Sequence, residues 1–198
     1  LGLEHPLPQR DRRLWLAQLL RRQLGELDEA LEALLVVADE ADLALADRHD
    51  PSCPIRLQCV PVASESVEVK GDLLDPLGEV AHEVAPHLVQ RYPDRVLLLA
   101  TDRCAVYCRF CTRSRMVGDG GGAISLEKLG PAFDYIASHP EVRDVIVSGG
   151  DPLAMSTDRL DRLLARIREI SSVETIRLAT RVPVTLPMRI TEELVSTL

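Results

Sequence analysis

Lysine is almost absent from this sequence. Lys70 and Lys128 stand against 21 arginines among 23 basic residues. That bias reads as base composition, and it leaves few candidates for chemistry that needs a primary amine. A basic surplus is also missing. The 31 acidic residues give a formal net charge of −8, so no reserve of cations exists to neutralise phosphates, which argues against a nucleic-acid partner. No uncharged apolar run approaches the roughly 18–20 residues that cross a bilayer. The first residues lack the basic-then-apolar layout of a secretory signal. The expectation is a cytoplasmic protein with neither a membrane nor a nucleic acid as partner.

What is present suits a folded enzyme. An apolar fraction of 46% over 198 residues is enough for a substantial core. The run Thr191–Leu198 reads as an unfinished helix and residue 1 is Leu, so the chain is expected to be a fragment of a longer one. Five cysteines occur, three of them within the eight residues 104–111. Such crowding in a cytoplasmic chain suits a metal better than a disulfide framework.

The chain divides near residue 90. In 1–90, two stretches, Asp11–Gln23 and Glu26–Ala46, carry leucines at three- and four-residue spacings and read as helices. An irregular, proline-punctuated segment from His49 to Val89 follows and reads as an extended arm. In 91–198 the pattern becomes strand, loop, helix, repeated. Val96–Ala100, Val142–Val147 and Glu174–Ala179 read as strands; Leu126–His139, Thr157–Ile170 and Ile190 onward read as helices. Leu160, Leu163, Leu164 and Ile167 share one face of the second. This βαβαβα order predicts an α/β fold with a parallel sheet and right-handed crossovers. Three units are too few to close a barrel, so an open edge is expected at the third strand.

The chemistry concentrates in Thr101–Arg115 (TDRCAVYCRFCTRSR), where Cys104, Cys108 and Cys111 are spaced Cys-x3-Cys-x2-Cys. Thiolates are soft ligands for iron–sulfur iron or for zinc. A structural zinc site wants four closed ligands, and Cys53, Cys59 and His139 are the remaining, distant candidates for a fourth. Three cysteines on one short loop also suit a four-iron cluster with one iron left open. The loop follows the first strand, at the end of the sheet where α/β barrels place their chemistry.

This loop resembles the signature of the radical S-adenosylmethionine (SAM) superfamily. Its flanks are similar to the lysine 2,3-aminomutase family: Arg91–Cys104 (RYPDRVLLLATDRC), Val142–Asp151 (VRDVIVSGGD) and Arg177–Thr191 (RLATRVPVTLPMRIT), with Pro54–Pro61 and Asp75–Glu79 resembling its arm. The resemblance covers roughly residues 50–198 and matches the N-terminal portion of that family. It implies the first half of an open (β/α)6 partial TIM barrel, a [4Fe-4S] cluster on the three cysteines, SAM, and pyridoxal phosphate (PLP). It also implies an external electron donor and an amino-acid substrate, most simply L-lysine rearranged to β-lysine.

Roles follow by position. Ser148, Gly149, Gly150 and Asp151 are expected to contact SAM, the paired glycines allowing close backbone approach. Arg181 either faces SAM or stabilises the barrel mouth. Arg113 matches the arginine that pairs with the substrate carboxylate, a task suited to a planar guanidinium. Arg91, Tyr92 and Arg95 match residues near the PLP phosphate. Tyr107 shields the cluster, Phe110 shields it or packs on adenine, and Cys53 and Cys59 are free buried thiols. The family's PLP-binding lysine has no counterpart here: Lys70 lies in a polar loop, and Lys128 on the outer face of the first barrel helix. The fragment alone is therefore expected to be inactive, and to associate with copies of itself through the arm and the open strand edge. Two other readings stay open: the related branch that makes β-lysine for modifying a translation elongation factor, and a non-catalytic zinc- or cluster-binding module.

Overall fold

The computed structural model describes residues 47, 50–60, 65, 67, 69–118 and 122–198. The helices expected over Asp11–Gln23 and Glu26–Ala46 lie outside the described residues. A single helical turn, α1 (Arg56–Cys59), is followed by five strands: β1 (Glu83–Ala85), β2 (Leu88–Tyr92), β3 (Arg95–Thr101), β4 (Asp144–Gly149) and β5 (Thr175–Leu178). They form one open sheet in that order. β3, β4 and β5 are parallel neighbours, as the apolar runs predict, and β1 and β2 add to β3 antiparallel.

The sheet thus starts earlier than the sequence suggests, and a boundary at residue 90 falls inside β2. Leu88 and Val89 are buried together, while Arg91 and Tyr92 are exposed. No strict alternation marks the strand. Its ends are set by turn chemistry instead. His87 takes a positive φ of 66°, and Pro93-Asp94 closes the β2–β3 hairpin, where Tyr92 pairs with Arg95. Proline and aspartate are favoured in such a tight turn.

Period-2 geometry sends Val96, Leu98 and Ala100 of β3 to one face, joined there by Val145 and Val147 of β4. All are at most 1% exposed. Helices α2 (Gly130–Ser138) and α3 (Thr157–Arg168) cover that face. Ala132, Phe133 and Ile136 come from α2; Leu160, Leu163 and Ile167 come from α3 at the expected spacing. Each fully buried leucine, isoleucine, valine or phenylalanine among these contributes about 1.5–3 kcal/mol. Two further helices, α4 (Val182–Thr185) and α5 (Glu192–Thr197), follow β5. Leu194 of α5 joins the same core. The Thr191 hydroxyl caps α5, accepting from Leu194 N at 3.2 Å.

Helix α2 begins four residues later than its leucines suggest. Pro131 occupies its first turn, where a fixed φ and a missing N–H are tolerated. The Ser125 hydroxyl instead accepts from Lys128 N in a turn before it. Lys128 is therefore on an exposed turn rather than on the helix. Lys70 is also exposed on a turn. No helix among the described residues is long and apolar enough to cross a membrane.

Candidate active site

The cysteine loop springs from the C-terminal end of β3. Backbone bonds tie its base together: Gly118 N to Asp102 O at 2.9 Å and Ile124 N to Ala100 O at 2.9 Å. Cys104, Cys108 and Cys111 are all free and half-buried. Their charges act on one another. Cys104 is pushed up to about 12, by burial first and then by the charges of Asp151, Cys111 and Cys108. Cys111 is pushed up by burial foremost, with Cys108 adding to it. Among the described residues no three His, Cys, Asp or Glu side chains enclose a common point. The donor chemistry nevertheless fits an iron–sulfur cluster. Three soft thiols share one loop, and a cation that replaces their protons relieves both burial and mutual repulsion.

The glycine pair serves this loop directly. Gly149 has φ 110°, and a Cβ there would lie 2.3 Å from Thr101 O; one on Gly150 would lie 2.1 Å from Arg103 O. The end of β4 is thereby pressed against the stem of the cysteine loop, with Gly150 N donating to Thr101 O and Asp151 N to Arg103 O. The close approach that demands glycine is thus to the protein's own backbone.

Asp151 is 6% exposed, and its carboxylate is committed to protein. Oδ1 accepts from Leu153 N at 3.0 Å and Thr180 Oγ1 at 2.6 Å; Oδ2 accepts from Arg181 N at 2.7 Å and Val182 N at 3.2 Å. It locks the end of β4 to the segment after β5. That segment carries Arg181, whose Nη1 donates to Cys108 Sγ and whose Nη2 donates to Gln58 Oε1 at 2.8 Å. The same guanidinium lies 5.3 Å from the Phe110 ring centroid, and Phe110 itself is 64% exposed. Arg109 fastens the loop to α1 from the other side, donating to Gln58 O, to Leu57 O and to Glu65 at 2.6 Å. Tyr107 is half-buried with its ring against Gly118. Cys53 and Cys59 are free and buried. Cys59 lies near enough to Cys108 for that charge to add to burial in raising its thiol.

On the sheet face away from the helices, the segment Asp75–His82 of the arm crosses the strands. Its Glu79 is 5% exposed. Arg113 Nε donates to Glu79 Oε1 at 2.8 Å, with Nη2 2.7 Å from the same oxygen, and Nη1 donates to Ser148 Oγ at 3.2 Å. Arg115 Nη2 donates to Glu79 Oε2 at 3.0 Å, and its Nη1 lies 3.3 Å from Asp75. Arg91, Tyr92 and Arg95 line one cavity of about 270 Å³ together with Glu79, His82 and Leu97. Within it Arg95 Nε donates to Asp144 at 2.7 Å, Arg91 Nη1 donates to Leu77 O at 3.1 Å, and Tyr92 is 58% exposed. Arg95 opens β3 and the cysteine loop follows its far end, roughly 20 Å away at 3.3 Å per residue.

The residues singled out from sequence therefore fall into two groups joined by Glu79 and Ser148. The three cysteines, Gly149, Gly150, Asp151 and Arg181 gather at the strand C-terminal ends. Arg91, Tyr92 and Arg95 gather at the opposite end, and Arg113 lies on the face between. Glu79, Thr180 and Asp144 carry polar networks that the sequence reading missed. Glu79 was visible only as the last residue of the arm motif.

The profile of the radical SAM superfamily matches residues 98–198. The chain belongs to the radical SAM superfamily. Within it the chain is similar to L-lysine 2,3-aminomutases, which are isomerases: 48% identical to that of Clostridium subterminale over 79% of this chain and 38% of the relative, and 44% identical to that of Bacillus subtilis over 76% and 32%. The glutamate 2,3-aminomutase of Clostridioides difficile is 40% identical over 76% of this chain and 36% of that protein. The chain thus spans about two fifths or less of the length of these relatives.

Proposed function

We propose that this chain is the N-terminal part of a PLP-dependent radical SAM 2,3-aminomutase acting on L-lysine, and that its parallel strands begin an open (β/α)6 barrel. The observation that carries the reading is the loop of three half-buried cysteines at the strand ends, braced by Gly149-Gly150 and by Arg181. Cys104, Cys108 and Cys111 would hold the cluster. With SAM bound, such a cluster supplies a carbon radical able to remove an unactivated hydrogen, while PLP carries the migrating nitrogen.

The chain's own residues bind, orient and exclude water. Arg181 neutralises charge at Cys108, and the packed α1 turn and Tyr107 keep solvent from the thiols. Gly149 and Gly150 fix the distance between the cluster loop and β4, at the strand ends where SAM would bind. Arg113 offers a planar fork to the amino-acid carboxylate. Arg91, Tyr92 and Arg95 line a cavity in which two guanidinium groups suit a phosphate, although Arg95 shares its charge with Asp144. Lys70 and Lys128 are both exposed on turns, so the PLP-binding lysine belongs to residues other than these, and the chain by itself is expected not to turn over. Reduction of the cluster needs an external donor, and association of copies through the arm is part of the same reading.

Anaerobic reconstitution with iron and sulfide, followed by electron paramagnetic resonance, tests the proposal. The expected result is a reducible four-iron signal that changes on adding SAM. Stoichiometric zinc, with no signal, would refute the reading.

A further inference from the structure

We propose that Glu79, in the arm, is a positioning residue that aims Arg113 at the α-carboxylate of the amino-acid substrate. The inference rests on the reading of Arg113 as the carboxylate-binding residue and deepens it.

A guanidinium has two edges on which a carboxylate can sit, the Nε/Nη2 edge and the Nη1/Nη2 edge. Glu79 Oε1 takes the first, accepting from Nε at 2.8 Å with Nη2 2.7 Å away. Ser148 Oγ accepts one hydrogen from Nη1 at 3.2 Å. Among the described residues Nη1 and Nη2 each keep at least one further hydrogen for a second carboxylate. The guanidinium plane is then fixed at two points, by the arm and by β4, before any ligand arrives. Arginine carries about 2 kcal/mol of side-chain entropy, so a pre-oriented fork loses less on binding.

Glu79 is itself well held. It is 5% exposed, and Arg115 Nη2 donates to its second oxygen at 3.0 Å. A carboxylate so buried and so bonded is a fixed strut rather than a mobile counter-ion. Charge and geometry make opposite predictions for its removal. As a competing anion, Glu79 would weaken substrate binding, and neutralising it would tighten binding. As a strut it strengthens binding, and neutralising it releases Arg113.

The test uses the full chain loaded with cluster and SAM, with L-lysine and L-lysine methyl ester as probes in equilibrium titrations. Glu79→Gln is expected to weaken L-lysine by about tenfold, the scale of one lost charge-assisted hydrogen bond, and to leave the ester unchanged. Arg113→Gln should abolish the preference for lysine over its ester, and the double variant should lose no more than Arg113→Gln alone. Glu79→Asp, which keeps the charge, should recover part of the preference. It also provides the reading if Glu79→Gln fails to take up its cluster. Unchanged or tighter lysine binding in Glu79→Gln would overturn the inference, as would equal weakening of acid and ester, which marks a merely structural role. If Arg113→Gln leaves the preference intact, or the starting protein shows none, the reading of Arg113 itself fails.

Discussion

At the N-terminal ends of the parallel strands, Asp144 sits between Arg95 and Arg177, at 2.7 and 3.0 Å, with arginine side chains 39% and 57% exposed. At the C-terminal ends, Asp151 is 6% exposed and is met by three backbone N–H groups and one hydroxyl. Both aspartates tie neighbouring strands together. The first carboxylate is as buried, at 7% exposed, but its partners are the ends of long, partly solvated side chains whose charge water screens, and such pairs contribute little. The second uses backbone donors around a carboxylate 6% exposed, so leaving them unanswered costs the desolvation of each. Bonding to buried backbone is thus the mode at the end that carries the cysteines.

The sharpest way to break this contrast is at the glycines. Gly150→Ala places a Cβ 2.1 Å from Arg103 O, and either β4 or the cysteine loop must move. A loss of at least about 3 kcal/mol in unfolding free energy is expected, with iron uptake lost as well. Denaturant unfolding and iron content together check it. Asp151→Asn should follow, at about 2–3 kcal/mol. Its amide can still accept at one oxygen but turns a donor toward N–H groups. Asp144→Asn should cost only about 1 kcal/mol, and retained cluster uptake in that variant is part of the expectation.

pH sharpens the same comparison. Burial alone would raise the Asp144 carboxyl, but hydrogen bonds and charges from Arg95 and Arg177 outweigh it and hold the group below its ordinary value. A carboxylate whose folded pKa is depressed stabilises fully above its unfolded pKa, about 3.9. That contribution is lost as pH falls through the folded value. The stability difference between the protein and Asp144→Asn should therefore be constant from pH 7 to about 5 and shrink below about 4. A difference that grows on acidification contradicts the assignment. A further effect, read as a potential rather than as stability, is expected at Arg181. Arg181→Gln removes a positive charge beside Cys108 Sγ and should make the reconstituted cluster harder to reduce, by on the order of 60 mV, a tenfold change in a one-electron equilibrium. A potentiometric titration reads it.

Apolar runs are the part of the fold that sequence reads well. Val96–Ala100 and Val142–Val147 supply the buried residues of the helix-covered face and announce themselves by composition; Leu160, Leu163 and Ile167 do so by period. β1 and β2 were missed because three- and five-residue strands set off by turns show no alternation. The start of α2 was misplaced because Pro131, rather than the leucines before it, decides where the first turn forms. In the candidate site, the cysteines were legible because ligand spacing is local. The meaning of Gly149-Gly150 was legible only in part. Glycine signals close approach, but sequence cannot tell a ligand from the protein's own Thr101–Arg103 backbone. Glu79 was legible only as the end of the arm motif and its role was not, since its partners Arg113 and Arg115 lie more than thirty residues away.

The central claim is that Cys104, Cys108 and Cys111, and no other cysteine, hold one cluster with an open iron. Five single Cys→Ala variants should be reconstituted anaerobically and followed by iron content and paramagnetic resonance with and without SAM. Cys104→Ala, Cys108→Ala and Cys111→Ala should each lose the four-iron signal, whereas Cys53→Ala and Cys59→Ala should keep it together with its response to SAM. A signal that survives loss of one of the three, or that depends on Cys59, whose thiol feels the charge of Cys108, would contradict the account.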